Sequence, residues 1–373
     1  MKYYFIAGEA SGDLHGSNLM KALYKEDPNA EIRFWGGDLM SAVGGSIVKH
    51  YRDLAFMGFI EVIFHLKTIL NNIKICKKDI ADFNPDVIIF IDYPGFNLRI
   101  AKWAKELGFK THYYISPQIW AWKESRITDI KRDVDKMYVI LPFEKDFYEV
   151  KHLFPVEFVG HPLIDAIHDQ PIIDDATFRK ANQLNGKPIV AILPGSRKQE
   201  IIKMLSVMLS VVNDFPDYQF VIAGAPSQEY SFYEGFISNE NIKFVSNKTY
   251  DLLRNSTAAI VTSGTATLET ALFKVPEIVC YKGSWTSYQI AKRIITLKYI
   301  SLVNLIMDEE VVTELIQEDC TKKRIGEELK KIMEPNYRKT LLEKYNLLEE
   351  KLGGVGASQK TAKLIVADLQ KSI

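Results

Sequence analysis

Cysteine is scarce, with only Cys76, Cys280 and Cys320 among 373 residues, far apart and without CxxC or Cys/His spacing. That excludes a disulfide framework and gives no structural zinc signature, so a reducing cytosol fits the chain best. An excess of one charge is also missing: 47 Lys and Arg balance 47 Asp and Glu, which leaves no electrostatic footprint for nucleic acid. No apolar run approaches the roughly 20 residues of a spanning helix. The first residues hold one Lys and a short strand-like run, where a signal peptide would need a charged region, a long apolar segment and a small-residue cleavage site. Neither GxGxxG nor GxxxxGK[ST] occurs, which counts against a standard dinucleotide or P-loop site. The chain reads as soluble or peripheral, and it is long enough for two domains that each bury a core.

Strand-like apolar runs alternate with helical patterns: "YYFIA", "EIRFW", "DVIIFI", "KTHYYI", "KMYVIL" and "VEFVG" come first. After a polar stretch from about Asp165 to Lys187 the rhythm restarts with "PIVAIL", "YQFVIA", "NIKFV", "AAIVTS" and "EIVCY". Fully apolar runs between amphipathic helices argue for buried parallel strands in βαβ units. The expected architecture is α/β, two doubly wound domains meeting at a cleft. The boundaries fall at residues 1–165 and 166–345, with a C-terminal helical segment, 346–373, returning to the first domain. Ligands of such sheets bind beyond the carboxyl ends of the strands, so the loops there carry the functional argument.

"LPGSRKQEI", Leu193 to Ile201, combines a turn glycine, a helix start that Ser196 can cap, and the forked cation of Arg197; together these make an anion site. "TSGTATLET" repeats the device. Ser263, Gly264, Thr265, Ala266 and Thr267 let a ligand approach a helix N-terminus, and Glu269 could accept hydrogen bonds from a ribose diol. "GEASGD", Gly8 to Asp13, differs: Glu9 and Asp13, with Ser11 between them, would repel a diphosphate but accept sugar hydroxyls or fix the loop itself. "FIDYPGFN" puts Asp92 at a strand end, as a general base for an acceptor hydroxyl or as a cap of the next turn. "ISPQIWAWKESRI" offers Trp120, Trp122, Lys123 and Arg126, a sugar or lipid-phosphate lip or an edge of core aromatics. His15 and His161 each sit beside a loop glycine; a lone His is more often a packing residue, and His161 is the better candidate for lining the cleft. The "DVD" at Asp133 to Asp135 matches the DxD of metal-dependent sugar transferases only formally, since it precedes a strand.

Met57 to Lys78 places Phe59, Val62, Ile63, Leu66, Ile69, Leu70 and Ile73 near one helical face, with Ile60 and Phe64 outside it and Lys67, Lys74, Lys77 and Lys78 along its edge. An interfacial helix has this pattern, and so does a buried one.

In order along the chain, "GEASGD", "AFMGFIEV", "IDYPGFN", "YISPQIWAW", "LPFE", "FVGHPLID", "LPGSR", "SGTATLE" and "SLVNLI" resemble the lipid-A-disaccharide synthase family of inverting glycosyltransferases. The resemblance implies a GT-B fold with acceptor mainly on the first domain and UDP-sugar on the second, no cofactor and no metal at the transfer step. It implies UDP-2,3-diacylglucosamine and 2,3-diacylglucosamine 1-phosphate (lipid X) as substrates, and a β-1,6-linked disaccharide 1-phosphate and UDP as products. By position Asp92 matches the family's essential acidic residue, Arg197 its phosphate-side arginine, and Glu269 and Asn304 its nucleotide-side residues. Gly95 and Val303 depart from the family's usual Asp and Pro. Acylated substrates reside in a bilayer, which favours the interfacial reading of Met57 to Lys78, on the anionic cytoplasmic face of a Gram-negative inner membrane. Rival readings are a UDP-N-acetylglucosamine 2-epimerase, which needs no acceptor, the peptidoglycan transferase of the same architecture, and a silent nucleotide-sugar or lipid-binding protein. The sequence leaves the oligomeric state open.

Overall fold

The computed structural model describes residues 1–54, 66–226, 228–283 and 298–371. The chain divides into two compact units: Met1–Asp169 with Leu352–Ile373, and Gln170–Lys351.

The first unit holds a seven-stranded sheet in the order β3-β2-β1-β4-β5-β6-β7. Its strands are β1 (Lys2–Ala7), β2 (Glu31–Gly36), β3 (Ser46–His50), β4 (Val87–Ile91), β5 (Thr111–Tyr114), β6 (Lys136–Val139) and β7 (Glu157–Phe158). The second holds six, in the order β10-β9-β8-β11-β12-β13: β8 (Ile189–Leu193), β9 (Gln219–Gly224), β10 (Ile242–Ser246), β11 (Ala258–Thr262), β12 (Glu277–Tyr281) and β13 (Thr313–Ile316). Every pairing is parallel, as in β1–β4 (Phe5 opposite Ile89) and β8–β11 (Ile192 opposite Ile260).

Burial on both faces explains why the central strands are unbroken apolar runs: all five residues of β4, β8 and β11 are buried. In the first unit Tyr4, Ile6, Trp35, Phe90 and Tyr113 form the core of one face with the helix Leu66–Phe83. The helices Ala10–Glu26 and Ala357–Gln370 pack together on the other. The latter is tied down where Asp368 meets Lys110 and His112, at 3.3 and 3.2 Å, and where the carboxylate of Asp165 accepts the amides of Gly356 and Ser358.

The eleven anticipated strands are all present. β3 and β13 were not anticipated; both are short edge strands, largely half-buried or exposed, in which the apolar signal is lost. In each sheet the strand order reverses once, between β1 and β4 and between β8 and β11. Crevices for ligands open at such reversals, beyond the carboxyl ends of the strands. The four loops that follow these four strands are "GEASGD", "DYPGFN", "PGSRKQE" and "SGTATLE".

Candidate active site

In the first unit β4 stops at Ile91, and the next two residues, Asp92 and Tyr93, both have left-handed backbones, with φ of 43° and 48°. Pro94 then begins the helix Pro94–Glu106. Each such non-glycine residue costs on the order of 1–3 kcal/mol, and such strain is kept where surroundings enforce it. Here the Asp92 carbonyl accepts the Tyr113 hydroxyl at 2.5 Å and the Asn97 amide at 2.7 Å, while the Asp92 amide reaches the Tyr114 carbonyl. Tyr93 lies against Gly8 so closely that a Cβ there would stand 2.3 Å from the ring. The loops after β1 and β4 therefore interlock across the reversal.

Asp92 is mostly withdrawn from solvent. Burial pushes its carboxyl up to about 6, the negative charges of Glu9 and, more weakly, Glu144 push the same way, and a hydrogen bond from the Tyr93 amide pulls back. A carboxylate poised near neutrality on a rigid strand end has the proton affinity a general base requires.

The two carboxylates of the opening loop divide the roles left open by the sequence. Asp13 is buried and accepts the amides of Gly37, Leu39 and Met40 at 2.8, 3.0 and 3.0 Å. It caps the helix Asp38–Val43, so the expectation that it binds substrate is corrected: it fixes the loop. Glu9 and Ser11 are exposed at the start of the helix Ala10–Glu26, where they remain able to meet a ligand. His161 is corrected as well. It is buried, and its Nδ1 accepts the Leu163 amide to cap the helix Pro162–His168. Burial, and then His15, hold the imidazole down at about 3, so it is a neutral structural group.

Beyond β5, Ile115 is left-handed with φ 63°, a rare conformation for a β-branched residue. Trp120 is half-buried, crosses Phe143 edge-on, and donates its indole N–H to Glu144 at 3.1 Å. Trp122 is exposed, with Lys123 Nζ 4.6 Å and the Arg126 guanidinium 5.5 Å from its ring centre. This half of the segment presents a flat apolar face edged by two cations. Asp133 and Asp135 of "DVD" are engaged with Arg132 and Lys105.

Glu144 escaped the reading of the residues except as a letter of "LPFE". Proline at the first position of a helix after a strand, with Glu two residues later, is the signal of a helix start, and the helix Pro142–Asp146 begins there.

In the second unit the helix after β8 spans Lys198–Leu209, with Arg197, exposed, as its N-cap. Ser196 was expected to cap it. Instead Glu200 reaches back and accepts the Ser196 amide at 3.3 Å, and it packs so tightly under Gly195 (φ 103°) that a Cβ there would stand 2.3 Å from its carboxylate. Arg197 thus projects from a turn that only glycine can make. After β11 the helix Thr265–Leu272 starts at Gly264. Gly264 and Thr265 are exposed and Ala266 half-buried. Thr267, buried, bonds back to the Gly264 carbonyl, and the Ser263 hydroxyl donates to the Ile300 carbonyl at 3.0 Å. Glu269 accepts the Tyr250 hydroxyl at 2.8 Å, and burial raises its carboxyl above the usual range.

Asn304 does not present itself to a ligand. It is fully buried; its oxygen accepts the amides of Val311 and Val312, and its nitrogen donates to the Val312 carbonyl and to Glu314. Glu314, a residue the sequence reading missed, also accepts the amides of Ile300 and Ser301. The pair fastens the loop that Ser263 touches.

Of the segment read as interfacial, Phe59, Val62 and Ile63 lie outside the described residues. The described helix begins at Leu66. Ile69 packs against the core and leaves the apolar outer face, whereas Leu70 is 49% exposed. No described helix is long and apolar enough to cross a membrane. Among the described residues no group of His, Cys, Asp and Glu side chains gathers in a way that could hold a metal ion.

Two parallel sheets, each covered by helices and with its loops at the reversal of strand order, are the architecture of the GT-B fold. A Staphylococcus aureus MnaA–UDP complex superposes with a TM-score of 0.71 at 12% identity, over 99% of this chain and 97% of that one. The family model for lipid-A-disaccharide synthetase matches residues 3–365. Lipid-A-disaccharide synthases of Coxiella burnetii (38% identical, 96% of each chain) and Trichlorobacter lovleyi (36%, 98% of this chain and 97% of that one) align nearly end to end. The chain belongs to the lipid-A-disaccharide synthase family.

Proposed function

We propose that the enzyme transfers 2,3-diacylglucosamine from UDP-2,3-diacylglucosamine to the 6-hydroxyl of lipid X. The products are the β-1,6 disaccharide 1-phosphate and UDP. The observation that carries this reading is Asp92, a half-hidden carboxylate on a strained strand end, with a proton affinity raised toward neutrality. Asp92 accepts the hydroxyl proton as the acceptor oxygen attacks the anomeric carbon. The bond from that carbon to the UDP oxygen breaks on the opposite face, so configuration inverts.

The first unit binds the acceptor, with Glu9 and Ser11 on sugar hydroxyls and Trp122, Lys123 and Arg126 at a flat and anionic part of it. Trp120 supports that lip from behind. The second unit binds the donor, with Arg197 and the free amides at the helix start of Gly264 to Ala266 meeting the charge that builds on the diphosphate. Glu269 lies on the nucleotide side. Leu70, with Lys67 and Lys74 exposed beside it, forms an outward face of the helix Leu66–Phe83. This face rests on anionic lipid of the cytoplasmic leaflet.

The test is UDP release by the purified protein in detergent micelles with UDP-2,3-diacylglucosamine, with and without lipid X, in EDTA. Release that requires lipid X and survives EDTA supports the proposal. Release without acceptor points to hydrolysis, and loss of release in EDTA points to a metal-dependent transferase.

A further inference from the structure

Glu144 is 1% exposed, and four donors meet its carboxylate. One oxygen accepts the Ser116 hydroxyl at 2.6 Å and the Trp120 indole N–H at 3.1 Å; the other accepts the Ile140 and Leu141 amides at 3.1 and 2.9 Å. Three of these four partners are N–H groups that cannot accept a proton in return, so the set suits the anion. Burial raises the carboxyl above its usual range, and the four hydrogen bonds offset only part of that rise. An ionised carboxylate this deep is costly unless its acceptor sites are filled, and here they are.

Its position gives the arrangement a use. Asp92, Ser116 and Glu144 follow the adjacent strands β4, β5 and β6 at the same edge of one sheet. The loops between them carry the left-handed residues Asp92, Tyr93, Ile115 and Lys123. Ser116 follows Ile115 directly, and Trp120 stands three residues before Lys123; Glu144 grips both. A segment with strain at each end needs such a clamp to stay in one conformation.

We propose that Glu144 is the positioning residue of the acceptor side: its carboxylate holds the segment Ile115–Arg126 beside Asp92 and supplies a fixed negative charge to the base. The charged and titratable groups around the two carboxylates are Glu9, across the β1 loop from Asp92, and Tyr113, whose hydroxyl is on the Asp92 carbonyl. The others among the described residues are Tyr93, which follows Asp92; Tyr148, bonded to the Pro117 carbonyl; and Arg126. The proposal rests on the reading of Asp92 as base, and its test separates the two.

Glu144→Gln keeps the shape and removes the charge. The plateau of kcat is expected to fall on the order of 10- to 100-fold through misplacement of the acceptor. The acidic limb of the pH–rate profile should move to lower pH, since a like charge beside Asp92 is gone. A folded Glu144→Gln enzyme with an unmoved limb overturns the proposal even if the plateau falls, because a purely structural group would lower the rate at all pH values alike. Combining Glu144→Gln with Trp120→Phe should cost less than the product of the single losses; independent effects overturn the clamp. If Glu144→Gln does not fold, Ser116→Ala decides: reduced turnover with unchanged melting supports the clamp, and wild-type turnover overturns it. Asp92→Asn is run alongside, and an active Asp92→Asn enzyme defeats the assignment of the base instead, whatever Glu144 does.

Discussion

Replacing Asp92 by Asn should abolish turnover and make the protein more stable. The carboxyl stands near 6 in the folded chain against 3.8 for the free side chain, a rise of about two units at about 1.4 kcal/mol each. A carboxyl whose folded value is raised binds its proton more tightly in the folded state. Its contribution to stability is therefore complete below pH 3.8 and is lost as pH rises through about 6. At pH 7.5 the native protein carries the full penalty of about 3 kcal/mol; at pH 5 it carries about half. Asn, which never ionises, escapes it. Asn also tolerates a left-handed backbone well, but that gain does not depend on pH. The assay is urea denaturation of Asp92→Asn and wild type at pH 5 and 7.5, beside UDP release. A stability gain that is larger at pH 7.5 by about 1–2 kcal/mol, with turnover down by 10²-fold or more, is the expected result. A gain equal at both pH values, or none, refutes the picture of a carboxylate held in a site that disfavours its charge.

The same value sets the wild-type profile: kcat/KM should fall about tenfold per unit below pH 6, measured by UDP release across pH 5–8. Arg197→Ala should lower turnover by about 10²-fold or more with unchanged melting, because the side chain is exposed. Asn304→Ala should destabilise the second unit by about 2–4 kcal/mol, since it strands the buried amides of Val311 and Val312. Activity should then track the folded fraction in a urea titration, and loss of activity from a fully folded variant would restore Asn304 to the donor site. Leu70→Ser should weaken sedimentation with anionic liposomes and leave melting within about 0.5 kcal/mol, while undiminished binding would remove this helix from the lipid contact.

The four loops at the reversals of strand order were legible because they follow unbroken apolar strands, and a parallel sheet places its ligand crevice beyond such ends. What stayed hidden was the use of each polar atom. Asp13 and Asn304 look like ligands in one dimension, but both are consumed by backbone amides: Gly37 to Met40, more than twenty residues on, in one case, and Val311 and Val312 across a short loop in the other. Glu144 and Glu314 show the converse, since each gathers groups from two segments that no local pattern links. The interfacial stripe failed at Ile69 for a related reason: a helix pattern fixes which residues share a face, while tertiary packing decides which face is covered.

The helix Ala357–Gln370 belongs to the first unit although the whole second unit precedes it in the chain. During synthesis, at roughly 5–20 residues per second, the second unit is complete while the sheet of the first still lacks part of the cover of one face. The first unit is therefore finished last, and the first helix, Ala10–Glu26, waits for a partner made more than three hundred residues later. A nascent chain arrested before residue 357 should present a folded second unit and a protease-sensitive first unit. Supplying the missing helix as a separate peptide should close the gap.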